Sequence, residues 1–140
     1  MIPFMEKILG DYLRSAPDVA AIVGDRVATK NPRTLDDPWV RVTVYDDPPT
    51  GRSSADHHIA FHVQLDCFAG KEGTQSEASL LARTVRSLLG EMVRHDFDGA
   101  ALSGAKATGS RFLPDENFDP DMDRYVVTGI VWAHSLEEGS

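Results

Sequence analysis

The sequence predicts an α+β fold: a mainly antiparallel β-sheet of two hairpins with helices packed on one face. Three observations predict it. Apolar residues recur at helical spacing at the N-terminus and again in the middle of the chain; several segments alternate apolar and polar residues with a period of two; and the paired strand patterns are joined by loops, not by helical crossovers. With 140 residues, 41% of them hydrophobic and 26% charged, the chain reads as one globular domain, 1–140, long enough to bury a core.

Phe4, Ile8, Leu9, Tyr12 and Leu13 share one helical face between Pro3 and Ser15, with Pro3 where a first turn tolerates proline. A short second helix is expected over Pro17 to Val23, ended by Gly24 as its C′ residue. A long connector, Asp25 to Pro38, holds Arg26-Val27 as a brief strand. Trp39 to Tyr45 then alternates, Val40, Val42 and Val44 on one side and Trp39, Arg41, Thr43 and Tyr45 on the other. The run DDPPTGRSSAD, Asp46 to Asp56, has the composition of an extended hairpin loop. Alternation resumes from His57 to Phe68, with Ile59, Phe61, Val63, Leu65 and Cys67 on the apolar face and His58, Ala60, His62, Gln64 and Asp66 opposite.

Thr74-Gln75-Ser76-Glu77 fits a capping box, and Ala78, Leu81, Ala82, Val85, Leu88, Leu89 and Met92 continue it as an apolar helical stripe. His95 to Gly104 reads as a connector, Ala105 to Leu113 as a weak strand, and PDENFDPDMD, Pro114 to Asp123, as a second acidic loop. Arg124 to His134 closes the chain as a strand, and 135–140 reads as a frayed tail.

The formal net charge is −8, which argues against gripping nucleic acid through phosphate neutralisation while still letting DNA pass a repelling surface. The single cysteine allows no internal disulfide and suits a reducing cytoplasm. No apolar run approaches the roughly 20 residues of a spanning helix, and the N-terminus has no signal-peptide core, so neither a membrane nor secretion is expected.

Catalytic and metal motifs are not recognisable. His58 and His62 share a strand face but stand about 13 Å apart at about 3.3 Å per residue, too far for one metal ion. Asp119, Asp121 and Asp123 begin like a calcium loop, but Arg124 stands where its glycine belongs and Ile130 where its glutamate belongs. Ser53 and Ser54 lie near His57 without a nucleophile elbow, and Cys67 reads as a small buried hydrophobe. The expectation is a structural protein, not an enzyme, with no catalytic residues, no metal and no cofactor.

Ile8, Leu9, Tyr12 and Leu13, then Ile22-Val23-Gly24-Asp25-Arg26-Val27, then Asp37-Pro38-Trp39-Val40-Arg41-Val42 resemble the opening of the tail-terminator, or tail-completion, proteins of long-tailed bacteriophages. Val63-Gln64-Leu65-Asp66-Cys67-Phe68-Ala69, the helix Glu77 to Leu89 and the closing strand Arg124 to His134 are similar to later parts of that family, so the resemblance runs from about residue 4 to 134. It implies an α+β subunit of a hexameric ring that caps the tail tube, ends its polymerisation and meets the head connector. The implied partners are other copies of the chain, the tail-tube protein and a head-completion or connector protein, with DNA passing through the lumen; the implied location is the virion, after assembly in the host cytoplasm. The two loops depart from the family pattern, and Asp46, Asp47, Arg52, Asp115, Glu116, Asp119, Asp121 and Asp123 are the candidates for lumen or partner contacts. Another neck component, such as a head-closure or connector subunit, and a small ligand-binding regulatory α+β module are the alternative readings.

Overall fold

The amphipathic N-terminal segment forms helix α1, Met5–Ser15, in a computed structural model that describes residues 5–45, 51–52, 59–92, 95–97, 100–118 and 121–135. Its apolar stripe, Ile8, Leu9, Tyr12 and Leu13, is buried. Helix α2, Pro17–Val23, starts with proline at its first turn and ends at Gly24, whose φ of 61° is accessible at little cost only to glycine. Strand β1, Val27–Ala28, follows at once and pairs in parallel with β2, Trp39–Val44, through Val27↔Val40. The sheet is therefore mostly but not purely antiparallel.

Strand β4, Ile59–Phe68, is antiparallel to β2, with Trp39 opposite Phe68, Arg41 opposite Asp66 and Thr43 opposite Gln64. Between them, the two-residue β3, Gly51–Arg52, pairs with Ile59 and Ala60; the rest of the expected 46–56 loop lies outside the described residues. Helix α3, Gln75–Gly90, begins where the capping box places it, the Thr74 hydroxyl accepting from the Glu77 amide at 3.3 Å.

The expected connector after α3 is largely strand. Strand β5, His95–Phe97, pairs with β6, Ala100–Phe112, which starts five residues before the predicted Ala105. Sequence reading shortens β6 because its alanines, glycines and serines have weak strand preference, and only the neighbouring strand supplies the ladder that holds them extended. Strand β7, Arg124–Ser135, is antiparallel to β6 on one side and to β4 on the other. The β4–β7 pairing fuses the two expected hairpins into one sheet of order β1-β2-β4-β7-β6-β5. Ser135, expected in the frayed tail, is the last residue of β7.

All three helices cover one face of this sheet. Leu9 and Leu13 of α1, Val19 of α2, and Leu81, Val85 and Leu89 of α3 share a core with Phe61, Val63, Leu65 and Cys67 of β4 and Val127 and Val131 of β7. Burying each of the larger of these side chains contributes about 1.5–3 kcal/mol before chain entropy is subtracted. The Tyr12 hydroxyl donates to the Leu88 carbonyl at 3.1 Å and fastens α1 to α3. Among the described residues no helix is long and apolar enough to cross a membrane.

Candidate functional site

On the helix-free face, the strand registers bring three charged residues together at one end of the sheet. Arg41 of β2 is opposite Asp66 of β4, and Phe68 of β4 is opposite Arg124 of β7. Two of the Arg41 guanidinium nitrogens donate to one Asp66 carboxylate oxygen, at 3.2 and 3.0 Å, and its third donates to the Asn31 side-chain oxygen at 3.0 Å. The other Asp66 oxygen accepts from the Gln64 amide at 2.8 Å and lies 3.7 Å from Arg124. The chain of contacts extends to Tyr45, whose hydroxyl donates to Gln64. Asp66 is only 1% exposed, so these partners replace the water that a carboxylate otherwise requires.

The fourth charge comes from the second acidic loop. Asp115 is 4% exposed and stands 3.6 Å from Arg124 and 3.9 Å from Arg41. Asp115, expected among the lumen- or partner-facing residues of that loop, is instead turned into the protein. Asp115 and Met122 exchange backbone hydrogen bonds of 2.8 and 3.1 Å across the loop, and the Asp115 carboxylate accepts from the Asn117 amide at 3.0 Å. Two arginines and two aspartates thus form a neutral cluster, which leaves the net charge of the molecule on groups outside it.

Apolar packing holds the same loop from its other side. The rings of Trp39 and Phe68 stack with centroids 4.3 Å apart, and Phe118 meets Trp39 edge-on at 6.2 Å and Phe68 at 6.0 Å. Met122 and Leu35 complete this second cluster, which is separate from the main core. The Arg41 and Arg124 guanidinium carbons lie 5.1 and 5.8 Å from the Phe68 ring centre, in cation–π range. Gly70 lets a further segment close in: its φ is 89°, and a Cβ there would meet the Asp36 carbonyl oxygen at 2.4 Å.

The loop is consequently pinned at Asp115, Phe118 and Met122, and other carboxylates face outward from it. Glu116 and Asp121 are exposed and Asp123 is half-buried. Asp121 and Asp123 border a cavity of about 410 Å³ whose wall includes Leu35, Phe118 and Met122, with Lys71 at its edge. Of the remaining candidates, Asp46, Asp47 and Asp119 lie outside the described residues, and Arg52 falls in β3, well removed in sequence from this loop. The structure therefore gathers Asp115, Glu116, Asp121 and Asp123 in one loop and adds Arg41, Asp66 and Arg124, which sequence reasoning did not single out. The signal that was present is the pair Phe118 and Met122, two large apolar residues inside a run otherwise suited to solvent.

His57 and His58 lie outside the described residues, and His62 is exposed on the helix-free face. Among the described residues no three His, Cys, Asp or Glu side chains gather as a metal-binding set. Cys67 is fully buried beneath the helices, and burial, reinforced by the neighbouring Asp66 charge, raises its thiol pKa far above the ordinary range. We expect a thiol-reactive disulfide reagent at neutral pH to leave Cys67 unmodified in the native protein and to modify it stoichiometrically in denaturant; fast labelling without denaturant would contradict its burial.

A neutral ion cluster and an aromatic stack hold Asp115, Phe118 and Met122, while Glu116 and Asp121 of the same loop are exposed. No protein-family model matches this chain, and no curated protein matches it. The functional reading accordingly rests on the residues and their geometry, together with the resemblance described above.

Proposed function

We propose that this chain is a structural virion protein that forms a ring at the head-proximal end of a phage tail tube, ends tube polymerisation and joins the tail to the head connector. The observation that carries this reading is the pattern from Ile22-Val23-Gly24-Asp25-Arg26-Val27 through Trp39-Val40-Arg41-Val42 to Arg124–His134, similar to tail-terminator proteins over nearly the whole chain. Supporting it, those segments are the α2–β1 turn, β2 and β7 of an α+β sheet with helices on one face. The pinned loop, with exposed Glu116 and Asp121 beside half-buried Asp123, supplies a preorganised contact surface, so little ordering entropy is lost on docking. A net charge of −8 per subunit lines such an assembly with a field that repels the DNA backbone and lets it slide. The reading assigns the protein no catalytic step and places it in the virion after cytoplasmic assembly.

Electron microscopy of the purified protein mixed with tubes of the tail-tube protein from the same phage tests this directly. We expect a ring at one end of each tube and an end to further growth. Decoration along the sides of the tubes, or growth that continues unchanged, would overturn the proposal. Reversing Glu116, Asp121 and Asp123 to lysine is expected to abolish capping without unfolding the protein, and normal capping by that variant would remove the loop from the interface.

A further inference from the structure

Strand β6 is much longer than the strand that flanks it. β5 covers only Ala100, Ala101 and Leu102, so Ala105–Phe112 have β7 on one side and no strand on the other among the described residues. Within that set of residues, no backbone group of Ala105–Phe112 hydrogen-bonds outside the β6–β7 ladder. An antiparallel ladder turns every second residue's amide and carbonyl away from its partner strand, so this margin presents a row of unmet donors and acceptors to a further strand.

The same margin carries an ordered pair of cations. Lys106 is opposite Ile130 and Arg111 is opposite Val126. Those β7 residues belong to the helix-free face, since on their other side Ile130 is opposite the exposed His62 and Val126 is opposite Asp66. In a regular strand two residues five apart point to opposite faces; the bulge between Ala107 and Gly109 adds one residue and returns Arg111 to the face of Lys106. Both cations are exposed, and neither forms an ion pair among the described residues. The carboxylate in the row of Arg111, that of Asp66, stands two strands away across Val126 and is held by Arg41 and Arg124. Although the chain has a net charge of −8, no acidic residue occurs between Asp98 and Asp115 in the sequence.

We infer that the open β6 edge takes an extended acidic segment of another protein as an added strand, whose carboxylates at positions i and i+4 meet Lys106 and Arg111. The spacing follows from the register: Ile130 and Val126 mark the two rows and are four residues apart, so the cations stand about 13 Å apart along the edge at about 3.3 Å per residue. A strand laid alongside spans that distance with four residues of its own and presents both carboxylates on its helix-free side. It runs antiparallel to β6, the better hydrogen-bonded arrangement. Main-chain pairing supplies affinity for any extended chain, and the two ion pairs select an acidic one. The β6 edge of a second copy is a poor occupant, because pairing like with like gathers the Lys106 and Arg111 side chains of both copies on one face. The inference goes beyond the ring proposed above and does not depend on it.

An amide NMR titration of the full chain with the peptide acetyl-TETVTET-amide tests this. We expect saturable shifts at the amides of Ala105–Phe112, and binding about tenfold weaker to the double variant Lys106→Glu, Arg111→Glu. The peptide acetyl-TKTVTKT-amide is expected to bind that variant and not the wild-type chain, which also establishes that the variant is folded. Moving the second glutamate by one place, in acetyl-TETVETT-amide, puts the two carboxylates on opposite faces of the strand and is expected to weaken binding to the wild-type chain several-fold. Absence of shifts at Ala105–Phe112, equal binding of the two glutamate peptides, or undiminished binding to the double variant overturns the inference. Shifts at these amides that grow with protein concentration in the absence of peptide also overturn it, because the occupant is then a second copy. A protein that passes these tests and fails to cap tubes removes the terminator reading alone.

Discussion

Asp66→Ala is expected to cost about 3–5 kcal/mol in urea unfolding, because it leaves two arginines facing one carboxylate in a site with little access to water. Asp66 is 1% exposed, and it is the one carboxylate within 3.2 Å of Arg41 among the described residues. Its removal turns a neutral set of four charges into one of net positive charge and also strips the Gln64 amide of its acceptor. The cost belongs to the charge left behind. Adding Arg41→Ala should therefore recover part of it, so that the double variant loses clearly less than the sum of the two single losses. Strict additivity, or a loss from Asp66→Ala within the range of an ordinary surface substitution, would show that water reaches this cluster and that it does not fasten the second acidic loop.

Phe68→Ala is expected to lose about 3–5 kcal/mol as well, through a different mechanism. The Phe68 side chain is fully buried, stacks on Trp39, meets the edge of Phe118 and lies beneath both guanidinium groups. Alanine leaves a void between the sheet and the loop and removes the platform that orients the arginines. The chain has two tryptophans, so the experiment is best done in a Trp132→Phe background, where Trp39 alone reports. The native emission of Trp39 should shift to longer wavelength as the loop loosens and water enters. Leu81→Ala, in the main core under α3, should destabilise by a comparable amount without that native-state shift. A Phe68→Ala protein whose Trp39 emission stays unchanged would mean that the loop is held by the ion cluster alone.

Local chemistry made much of this fold readable in advance. The start of α3 follows from Thr74 and Glu77 alone, since a capping box needs no partner outside its own turn. The buried positions of α1, α3 and β4 follow from spacing, because helices and strands present their faces with fixed periods. Gly24 ended α2 as expected, through a positive φ that its own sequence neighbourhood requires. Where residues are locally ambiguous the reading faltered. Ala100–Gly104 reads as connector, although β7 pairs with Ala100–Leu102 and Gly104 on one side and β5 pairs with Ala100–Leu102 on the other.

The candidate site was legible only in part, and its misread members share one cause. Asp66 follows the period of β4 onto the polar face, where sequence alone expects solvent; it is buried where Arg41 and Arg124, from two other strands, converge on it, and Asp115 lies against both arginines. Asp115 sits in a run of acids and reads as solvated until Phe118 and Met122 draw that run onto Trp39 and Phe68. Neither outcome is encoded within a few residues of the group concerned.

By itself the sequence determined the class of fold, the faces of its helices and longest strand, the net charge and the acidic character of its loops, because periodicity, capping and charge are properties of neighbouring residues. Only the tertiary structure decided that the two hairpins join through β4 and β7, that β1 enters the sheet in parallel, that β6 begins at Ala100 and that a neutral ion cluster holds Asp115 of the second acidic loop. Those outcomes depend on which distant segments meet, and it is the shared burial of apolar surface, most of it far along the chain from the charges it encloses, that selects the meeting.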